Sequence, residues 1–532
     1  MATATKLYTP QEITAIQPLA TNDQEFGRRI GSISRQSTVY FAGTMLTTAA
    51  GYFFKVYVAR TLGAQALGLY ALGMTLVGFL GLFSTLGLST AAARFVAAYT
   101  ARGEFSRLGE FLRGSLTLLS VCNLLLGATF LLVGRWVAVH FYHAPELSSY
   151  LWSFELILLF GVLNAFLGQV MAGYHDVTRR TVITHLIGTP TNIVVAVILI
   201  TLGLGLRGYM AAQVVSALLV LTLLAASVWR MTPAQARFGR SFAAVEREVV
   251  TFSAAAFGVS AVEFLLTQTD KIVLGYYLEP KQVGIYAVAT ALVGFVPIAL
   301  QSVNQIFSPT IAELHATGNR ALLQQLYATL TKWILILTIP LALTMVVFSR
   351  PLMGIFGPGF EPGAMALAVG AVGQLFNCAV GSVGYLLLMS GNQLQLVRIQ
   401  AVNAVLMIAL SLLLVPRLGV TGAAIAAAAA LAAANLWMLG AVFRSLRLFP
   451  YNASYFKLVP AVLISVGVVL LLAHLSIGMT SQWRVAALAL ICGYVSFLGM
   501  VLISGLDSYD RRIAHLVWAK VGQTLRRNEV NA

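Results

Sequence analysis

Apolar runs of about 20 residues recur along the chain from Ser37 to Ser504, with charged or Gly/Pro-rich breaks between them. A helix of that length spans the apolar core of a bilayer. Fourteen membrane helices are predicted, at residues 36–58, 68–97, 112–134, 151–173, 181–203, 208–229, 249–276, 284–308, 328–349, 363–389, 395–415, 420–443, 456–477 and 483–505. The pattern therefore predicts an all-α polytopic membrane protein.

The composition agrees with this pattern. Hydrophobic residues make up 59% of the chain and charged residues 10%, whereas roughly a quarter of the residues in an ordinary soluble protein are charged. This excludes a soluble globular enzyme. The net charge of +16 would suggest nucleic acid in a soluble chain. Here most Lys and Arg residues fall on the side of the membrane that carries both termini, which predicts cytoplasmic termini in the cytoplasmic (inner) membrane and no nucleic-acid partner.

The second half of the chain repeats the first at an offset of 216 residues. The repeated positions are Lys55/Lys271, Leu62/Leu278, Gly68/Gly284, Tyr70/Tyr286, Ala71/Ala287, Leu76/Leu292, Val77/Val293, Gly78/Gly294 and Phe79/Phe295. A fainter match pairs Gly205 and Gly208 with Gly419 and Gly422. Six helices per repeat is an even number, so the two repeats are predicted to be parallel and related by an axis along the membrane normal.

The predicted helices and the repeat divide the chain into six regions. They are a cytoplasmic N-terminal tail (1–35), a first lobe of six helices (36–229), a cytoplasmic linker (230–248), a second lobe of six helices (249–443), helices thirteen and fourteen with the preceding loop (444–505), and a basic amphipathic C-terminal tail (506–532). The last region is predicted to lie on the anionic inner leaflet, because apolar and basic residues separate to opposite sides of a helix.

Four stretches of the repeat region carry a family resemblance. They are ARTLGAQALGLYAL (59–72), LGLSTAAARFVA (86–97), TDKIVLGYYLEPKQVGIYAVA (269–289) and VPRLGVTGAAIA (415–426). With these motifs the chain resembles the polysaccharide transporter family, the oligosaccharide-flippase branch of the multidrug, oligosaccharidyl-lipid and polysaccharide exporter superfamily. The resemblance implies a fourteen-helix fold with two six-helix lobes around a central cavity. It also implies a flippase that carries a polyprenyl-pyrophosphate-linked glycan to the outer leaflet by alternating access, with glycan-assembly enzymes as partners.

Two lysines occupy the same repeat position, near the predicted outer ends of helices one and seven. A pseudo-two-fold axis would make Lys55 and Lys271 a pair whose ammonium groups attract a pyrophosphate headgroup. Arg60 and Arg94 are further substrate-binding candidates nearer the outer and inner mouths. The alternative interpretation is that each lysine reaches the lipid headgroups and anchors its helix, and for the two arginines the structural interpretation is favoured.

Predicted helix seven carries a cluster of ionisable side chains. Spacings of four, seven and eight residues place Glu263, Thr267, Asp270 and Lys271 along one face. We hypothesise that Glu263 and Asp270, with Thr267 between them, bind a coupling H⁺ or Na⁺ whose binding shifts the balance between inward and outward states. The alternative is a static polar seam between helices.

The first half has no counterpart for this cluster. At the repeat offset, Glu263 aligns with Thr47 and Asp270 with Phe54. Coupling is therefore predicted for the second lobe alone.

Other intramembrane features favour structural interpretations. Four single amides, at Asn164, Asn192, Asn377 and Asn403, are typical of contacts between helices. The alanine-rich run at 422–435 predicts close helix approach and no chemistry.

Catalytic and metal-binding motifs give no support to other functions. The glycines of 203–208 spell GxGxxG but lack the βαβ context of a dinucleotide site. Cys122, Cys378 and Cys492 lie in apolar runs without CxxC spacing, so neither a metal site nor a disulfide is predicted. No catalytic residue is predicted, and no cofactor apart from the coupling ion.

Two other functions remain as alternatives. An ion-coupled exporter of cationic amphiphilic drugs would use the acidic residues of helix seven as counter-ions. A membrane glycosyltransferase or polymerase would need paired acidic residues on an outer loop, where Glu146, Glu279 and Glu361 are scattered.

Overall fold

The computed structural model describes residues 19–237, 246–476 and 482–503, and for 19–49, 453 and 454 it describes the backbone alone. The predicted amphipathic tail (506–532) lies outside these residues, as do the first part of the predicted N-terminal tail and the middle of the predicted linker.

Within the described ranges the secondary structure is helical and contains no strand. The α-helices are α1 (Leu19–Thr85), α2 (Leu88–Arg102), α3 (Phe105–Trp136), α4 (Leu151–Gly173), α5 (Val177–Thr181), α6 (Thr189–Leu199), α7 (Gly205–Met231), α8 (Ala234–Arg237), α9 (Arg247–Tyr277), α10 (Pro280–Val293), α11 (Ile298–Ala316), α12 (Arg320–Val347), α13 (Ser349–Gly354), α14 (Ala364–Val380), α15 (Val383–Met389), α16 (Gln393–Leu446), α17 (Leu458–Leu475) and α18 (Gln482–Ile503). The all-α prediction is confirmed for this part of the chain.

Ten helical runs in the described residues are long and apolar enough to cross a membrane, which makes this a multi-pass membrane protein. The number is eleven if α10 and α11, bent by 51° at Pro297, count as one broken span. Three of the runs, 50–85, 177–231 and 393–446, each include residues of two predicted helices. At 1.5 Å per residue the longest would reach roughly 80 Å, far beyond a bilayer core of about 30 Å.

Glycines with non-helical backbone angles interrupt each of these three runs. Gly63 has φ 77°, Gly203 and Gly205 have φ 85° and 53°, and Gly419 has φ 57°. Such angles are strained for residues with a Cβ. The predicted breaks between helices one and two, five and six, and eleven and twelve therefore coincide with backbone turns that only glycine adopts readily.

Contacts across the second of these breaks are those of an antiparallel pair. The Ser216 hydroxyl of α7 donates to the Gly188 carbonyl at 2.8 Å, and Gly208 packs directly on the backbone of Leu199. The separation in sequence shrinks toward the break, so the chain folds back on itself between Leu199 and Gly205.

Besides predicted helix 284–308, which is bent between α10 and α11, two predicted helices are divided in the structure. Predicted helix 68–97 is interrupted between α1 and α2, where Leu86 and Gly87 both have positive φ. Predicted helix 363–389 is interrupted between α14 and α15 at Gly381, with φ 74°. The apolar pattern continues through both breaks, which is why hydropathy did not reveal them.

Repeat-related residues meet where the two halves of the chain cross. Gly68 packs against the backbone of Pro280, and Gly284 packs against the backbone of Ala64. These contacts exchange under the 216-residue offset, because Ala64 aligns with Pro280 and Gly68 with Gly284. The lack of a Cβ at both glycines lets α1 and α10 approach backbone to backbone.

The last two helices are joined to the second half. The Ser465 hydroxyl of α17 donates to the Gly493 carbonyl of α18 at 3.3 Å. The Tyr494 hydroxyl of α18 donates to the Leu337 carbonyl of α12. A small apolar cluster that includes Ile336 and Phe497 buries the same interface.

Candidate functional site

A cavity of about 410 Å³ lies inside the second half, between α9, α10, α14 and α16. Its polar wall consists of Asp270, Tyr286, Thr290, Gln374, Asn377, Gln400, Asn403 and Asn435. Much of the remaining wall is alanine from the run at 422–435. Alanine side chains end at Cβ and leave space that larger residues would fill. The run does bring helices close, since Gly373 packs on Ala428, but it also walls a polar cavity.

Asp270 is the carboxyl group in this wall. It is buried, and its Oδ2 accepts a hydrogen bond from the Tyr286 hydroxyl at 2.7 Å. Its Oδ1 accepts from the Lys271 backbone N–H at 2.8 Å. Both oxygens therefore have a donor in the protein, and the side chain borders a cavity rather than lipid. That is the environment expected of a functional carboxyl group inside a membrane.

A second cavity of about 390 Å³ adjoins the first and shares Gln374, Asn377, Gln400 and Asn435 with it. Asn435 Nδ2 donates to Asn377 Oδ1 and Asn377 Nδ2 donates to Gln374 Oε1, each at 3.1 Å. The wall continues to Gln301, Asn304 and Tyr385. Within the part of the chain that the structure describes, the enclosed Oδ1 atoms of Asn304 and Asn403 receive no hydrogen bond. Side-chain amides thus line both cavities from Asp270 onward. Amide oxygens are ligands suited to a small cation.

The other helix-seven candidates lie in a different environment. Glu263 and Thr267 are exposed, and Lys271 is half-buried. Side chains seven residues apart on a continuous helix point in nearly the same direction. The difference in burial between Glu263 and Asp270 therefore comes from the helices that pack beside each residue. Glu263 and Asp270 thus lie in different environments, one exposed and one buried, and their joint action on a coupling ion stays a prediction. The Thr267 hydroxyl donates to the Glu263 carbonyl at 2.9 Å, a contact within the helix.

Lys55, which is exposed, and Lys271, which is half-buried, each contact the residue three positions earlier in the chain. Lys55 Nζ lies 4.9 Å from the centre of the Tyr52 ring, and Lys271 Nζ donates to Gln268 Oε1 at 3.0 Å. Tyr52 and Gln268 are themselves repeat-related. Tyr52 packs against Phe295 of the opposite half, with ring centres 4.0 Å apart and the ring planes tilted by 35°. Among the described side chains neither lysine has a carboxylate partner.

The two arginine candidates make contacts between the halves. Arg60 donates to the Ile355 carbonyl at 2.7 Å. Arg94 lies 3.4 Å from Glu248 and 4.7 Å from the centre of the Phe252 ring. These contacts fit the structural interpretation that the sequence favoured for both residues.

The contact region of Arg94 extends along α2. The Tyr99 hydroxyl donates to Glu246 Oε2 at 2.9 Å. Burial, reinforced by this contact with a carboxylate, raises the pKa of Tyr99 to about 12, so the phenol keeps its proton. Arg107 lies 3.5 Å from the same Glu246. The start of α9 is thereby tied to α2 and α3 at the predicted inner end.

The first half is filled at the position that corresponds to the cavity. Tyr70 is the repeat counterpart of Tyr286, and Phe54 is the counterpart of Asp270. Both rings pack on Tyr209 of α7, with centres 5.0 Å and 6.1 Å away. Aromatic packing therefore occupies, in the first half, the position that Asp270 and Tyr286 hold beside the cavity in the second.

Sequence reasoning missed several residues of this site. Tyr286 was noted only as a repeat identity, and Gln374, Gln400 and Asn435 were not noted as polar groups of a site. Asn377 and Asn403 were assigned to contacts between helices, whereas they also line the cavities. The available signal was that five amides of the cavity wall fall within predicted helices ten, eleven and twelve, all in the same half: Gln374, Asn377, Gln400, Asn403 and Asn435.

The chain matches the model of one protein family. The model of a family described as "Polysaccharide biosynthesis protein" matches residues 33–315. A comparison with individual curated proteins gives no significant match.

Solved structures share the fold. The lipid II flippase MurJ in an inward closed conformation has a TM-score of 0.69 at 15% identity, covering 87% of this chain and 98% of that one. An inward-facing multidrug resistance MATE family transporter of the MOP superfamily has a TM-score of 0.60 at 16% identity, covering 77% and 98%. The Vibrio cholerae MATE transporter VcmN in the bent form has a TM-score of 0.50 at 16% identity, covering 78% and 98%. At these identities the likeness concerns the fold alone.

Proposed function

The chain belongs to the polysaccharide biosynthesis protein family, and we propose that it is a flippase for a polyprenyl-pyrophosphate-linked oligosaccharide. The lipid-linked glycan would cross the cytoplasmic membrane by alternating access of two lobes, without catalysis. Support comes from the membership of the family and from a fold shared with a lipid II flippase and MATE transporters. Glycan-assembly enzymes are the protein partners that such a function would require.

We propose fourteen crossings arranged as two six-helix lobes plus two helices. The three long runs supply three additional crossings if each folds back at its glycine break, as contacts across Gly203–Gly205 support. Added to the eleven spans that include the bent pair, they restore the predicted count. The exchanged contacts of Gly68 and Gly284 support a pseudo-two-fold axis between the lobes. Both termini would then be cytoplasmic.

The single observation that carries the substrate assignment is the matched placement of two lysines. Lys55 and Lys271 contact repeat-related residues, and within the described residues neither ammonium group forms an ion pair with a carboxylate. An anionic pyrophosphate between the lobes would accept hydrogen bonds from both. Arg60 and Arg94 would act at the two mouths, holding the halves together in this state.

We propose that the second lobe couples transport to H⁺ or Na⁺ through Asp270. Its carboxyl group borders a cavity rich in amide oxygens and receives a hydrogen bond from Tyr286. Glu263 and Thr267 would take part from the exposed face of α9, where an acidic group at membrane depth must contact water. Of the ten apolar helical runs in the described residues, the α9 run is the least buried by other parts of the protein.

The alternative function is export of cationic amphiphiles. It is favoured by the size of the Asp270 cavity, since about 410 Å³ falls within the range of small-molecule sites. Against it, a single carboxyl group and many amides suit a small ion better than a bulky cation. The paired lysines would repel such a substrate.

Reconstitution in liposomes tests the flippase proposal. A fluorescent polyprenyl-pyrophosphate sugar is added, and its exposure to an impermeant quencher is followed for the wild type, for Lys55→Ala/Lys271→Ala, and for Lys281→Ala as an exposed control. Each charge-assisted contact contributes about 1.5 to 3 kcal/mol, so the double substitution slows flipping by at least about tenfold.

Three results separate the possibilities. Flipping that is slowed only by the double substitution supports both the function and the site. Flipping unchanged by it keeps the function and rejects the site. Absence of flipping, together with gradient-driven movement of a cationic dye, rejects the flippase in favour of the exporter.

A further inference from the structure

The first half contains a buried carboxyl group that the proposed function does not use. Glu155 lies one turn after the start of α4, within predicted helix four, and is 8% exposed. Its Oε2 is enclosed and has no hydrogen-bond partner among the described residues. An enclosed polar atom without a partner is expensive inside a protein, and more so in a membrane. The Oε2 atom therefore needs a hydrogen-bonding or ionic partner that the described side chains around it do not supply.

The neighbouring helix is shaped around this carboxyl group. Gly127 of α3 faces Glu155, and a Cβ at Gly127 would collide with the carboxyl oxygens. One turn away along both helices, Asn123 Nδ2 donates to the Leu159 carbonyl at 3.4 Å. Asn123 is fully buried, and its Oδ1 also has no donor. Two enclosed oxygen acceptors therefore lie at one helix interface, and both lack a hydrogen.

Cations are absent from the surroundings of Glu155 in the described residues. On α3 the ionisable groups nearest in sequence to Gly127 are Cys122 and Arg135, and Glu155 is the only ionisable group on α4. The ionisable groups on the other described elements packed against α4 are Tyr52, Lys55, Tyr57, Arg60 and Tyr70 on α1, Arg94, Tyr99 and Arg102 on α2, Arg179 and Arg180 on α5, Arg207, Tyr209 and Arg230 on α7, and Glu146 and Tyr150 in the turn before α4. Glu155 forms an ion pair with none of them. Two oxygens are also too few for Na⁺ or Ca²⁺, which take more ligands.

We propose that Glu155 is a proton-binding site of the first half. A proton taken up from water by Oε2 converts an enclosed acceptor into an O–H donor and removes an unpaired charge. Asn123, whose Oδ1 lacks a donor at the same interface, is the acceptor available to that O–H group. No metal and no substrate is needed for this step, which balances as carboxylate plus H⁺ giving the acid.

The position of Glu155 suits exchange with one side of the membrane. Trp152, three residues earlier, is 71% exposed, and Trp136 near the end of α3 is 59% exposed. Exposed tryptophans gather at the boundary between lipid and water. Glu155 thus lies just below one boundary, at the predicted outer end of the bundle. Phe154, the adjacent residue of α4, packs on Gly73 of α1. Movement of α1 against α4 would therefore change the packing next to Glu155.

Infrared difference spectroscopy on the purified wild type in nanodiscs tests the proposal directly. Spectra between about pH 4 and about pH 9 bracket the range in which buried glutamates exchange protons. We expect a carboxylic-acid band that appears on acidification, is lost in Glu155→Gln and is retained in Asp270→Asn. Asn123→Leu keeps the carboxyl group and removes its acceptor, so the band shifts to the position of a free acid.

The outcomes separate this inference from the flippase proposal, because no substrate is involved. A pH-dependent band lost only in Glu155→Gln supports the site whether or not the protein flips lipid. Identical spectra for wild type and Glu155→Gln overturn it. A Glu155 band that is present at every pH also overturns it, since it would mark a permanently neutral acid. If Glu155→Gln fails to fold, an acid band unmoved by Asn123→Leu overturns the proposed interface.

Discussion

The two halves of the chain are alike where they touch and unlike where they enclose space. At the crossing of α1 and α10, Gly68 and Gly284 make exchanged backbone contacts. Two residues further along, Tyr70 packs against Tyr209 in an aromatic cluster. Its counterpart Tyr286 instead donates to Asp270 beside a cavity. A contact across a two-fold axis constrains both copies equally, whereas the interior of each half is free to diverge.

This difference teaches where function is added to a repeated fold. In the first half Phe54 and Tyr209 fill the space by aromatic packing. In the second half Asp270 replaces the phenylalanine, and alanines of α16 line the cavity. A large ring at the same place would displace water and leave Asp270 without solvation. The alanine-rich run and the carboxyl group therefore depend on each other.

The largest expected effect comes from removing the charge that distinguishes the second half. A unit-charge pair about 4 Å apart contributes about 4 kcal/mol at an effective dielectric constant of 20. Asp270→Asn should therefore weaken ion binding about 100-fold or more. The measurement is transport by proteoliposomes under imposed H⁺ and Na⁺ gradients, with Glu263→Gln in parallel. Normal transport by both variants at every gradient would mean that neither carboxyl group couples an ion.

A smaller effect is expected at the crossing that the halves share. Gly68→Ala and Gly284→Ala each force a Cβ into the opposite backbone, and overpacking typically costs about 1 to 3 kcal/mol. The two losses of thermal stability should be similar, because the contacts are related by symmetry. Gly258→Ala in α9 is the control, since nothing lies within 4 Å of its added Cβ. A large loss for one crossing glycine and none for the other would contradict the symmetric contact.

The smallest expected effect separates two tyrosines at one repeat position. Tyr286→Phe removes a donor that stabilises the unligated Asp270 carboxylate, and such a hydrogen bond contributes a net of about 0.5 to 1.5 kcal/mol, so the affinity of the second half for a coupling H⁺ should rise roughly two- to tenfold. Tyr70→Phe has no carboxyl group to affect and should leave that affinity unchanged. Ion-dependent thermal stabilisation measures both. Equal changes of H⁺ affinity in the two variants would remove the proposed difference between the halves.

Much of the fold could be predicted because each membrane helix requires about 20 consecutive, mostly apolar residues, and such a run is visible in the sequence. The apolar runs placed the helices, and the glycines at 63, 203–205 and 419 lie in or beside the predicted boundaries. The breaks at Leu86–Gly87 and Gly381 were missed, since apolar residues continue on both sides and only the backbone angles differ. The basic tail and the linker core are predictions that the described residues do not reach.

The candidate site was predicted only in part. Asp270, Lys55 and Lys271 were selected because ionisable residues are rare in membrane helices. The different environments of Glu263 and Asp270 could not be predicted, because residues seven apart have the same helical direction and only neighbouring helices distinguish them. Glu155 is the only ionisable residue of predicted helix four. It was not selected, because a single carboxyl group matches no sequence pattern.

The sequence by itself determined that the chain is helical, lies in a membrane and is built from a repeat. These properties follow from residue composition and from identity at a fixed offset, both of which are local or one-dimensional. Only the tertiary structure decided that Asp270 borders a cavity while Phe54 is packed in a cluster, and that Glu155 meets Gly127 without a partner. Burial, solvation and pairing depend on which helices meet at a given depth, and that meeting is a property of the assembled bundle.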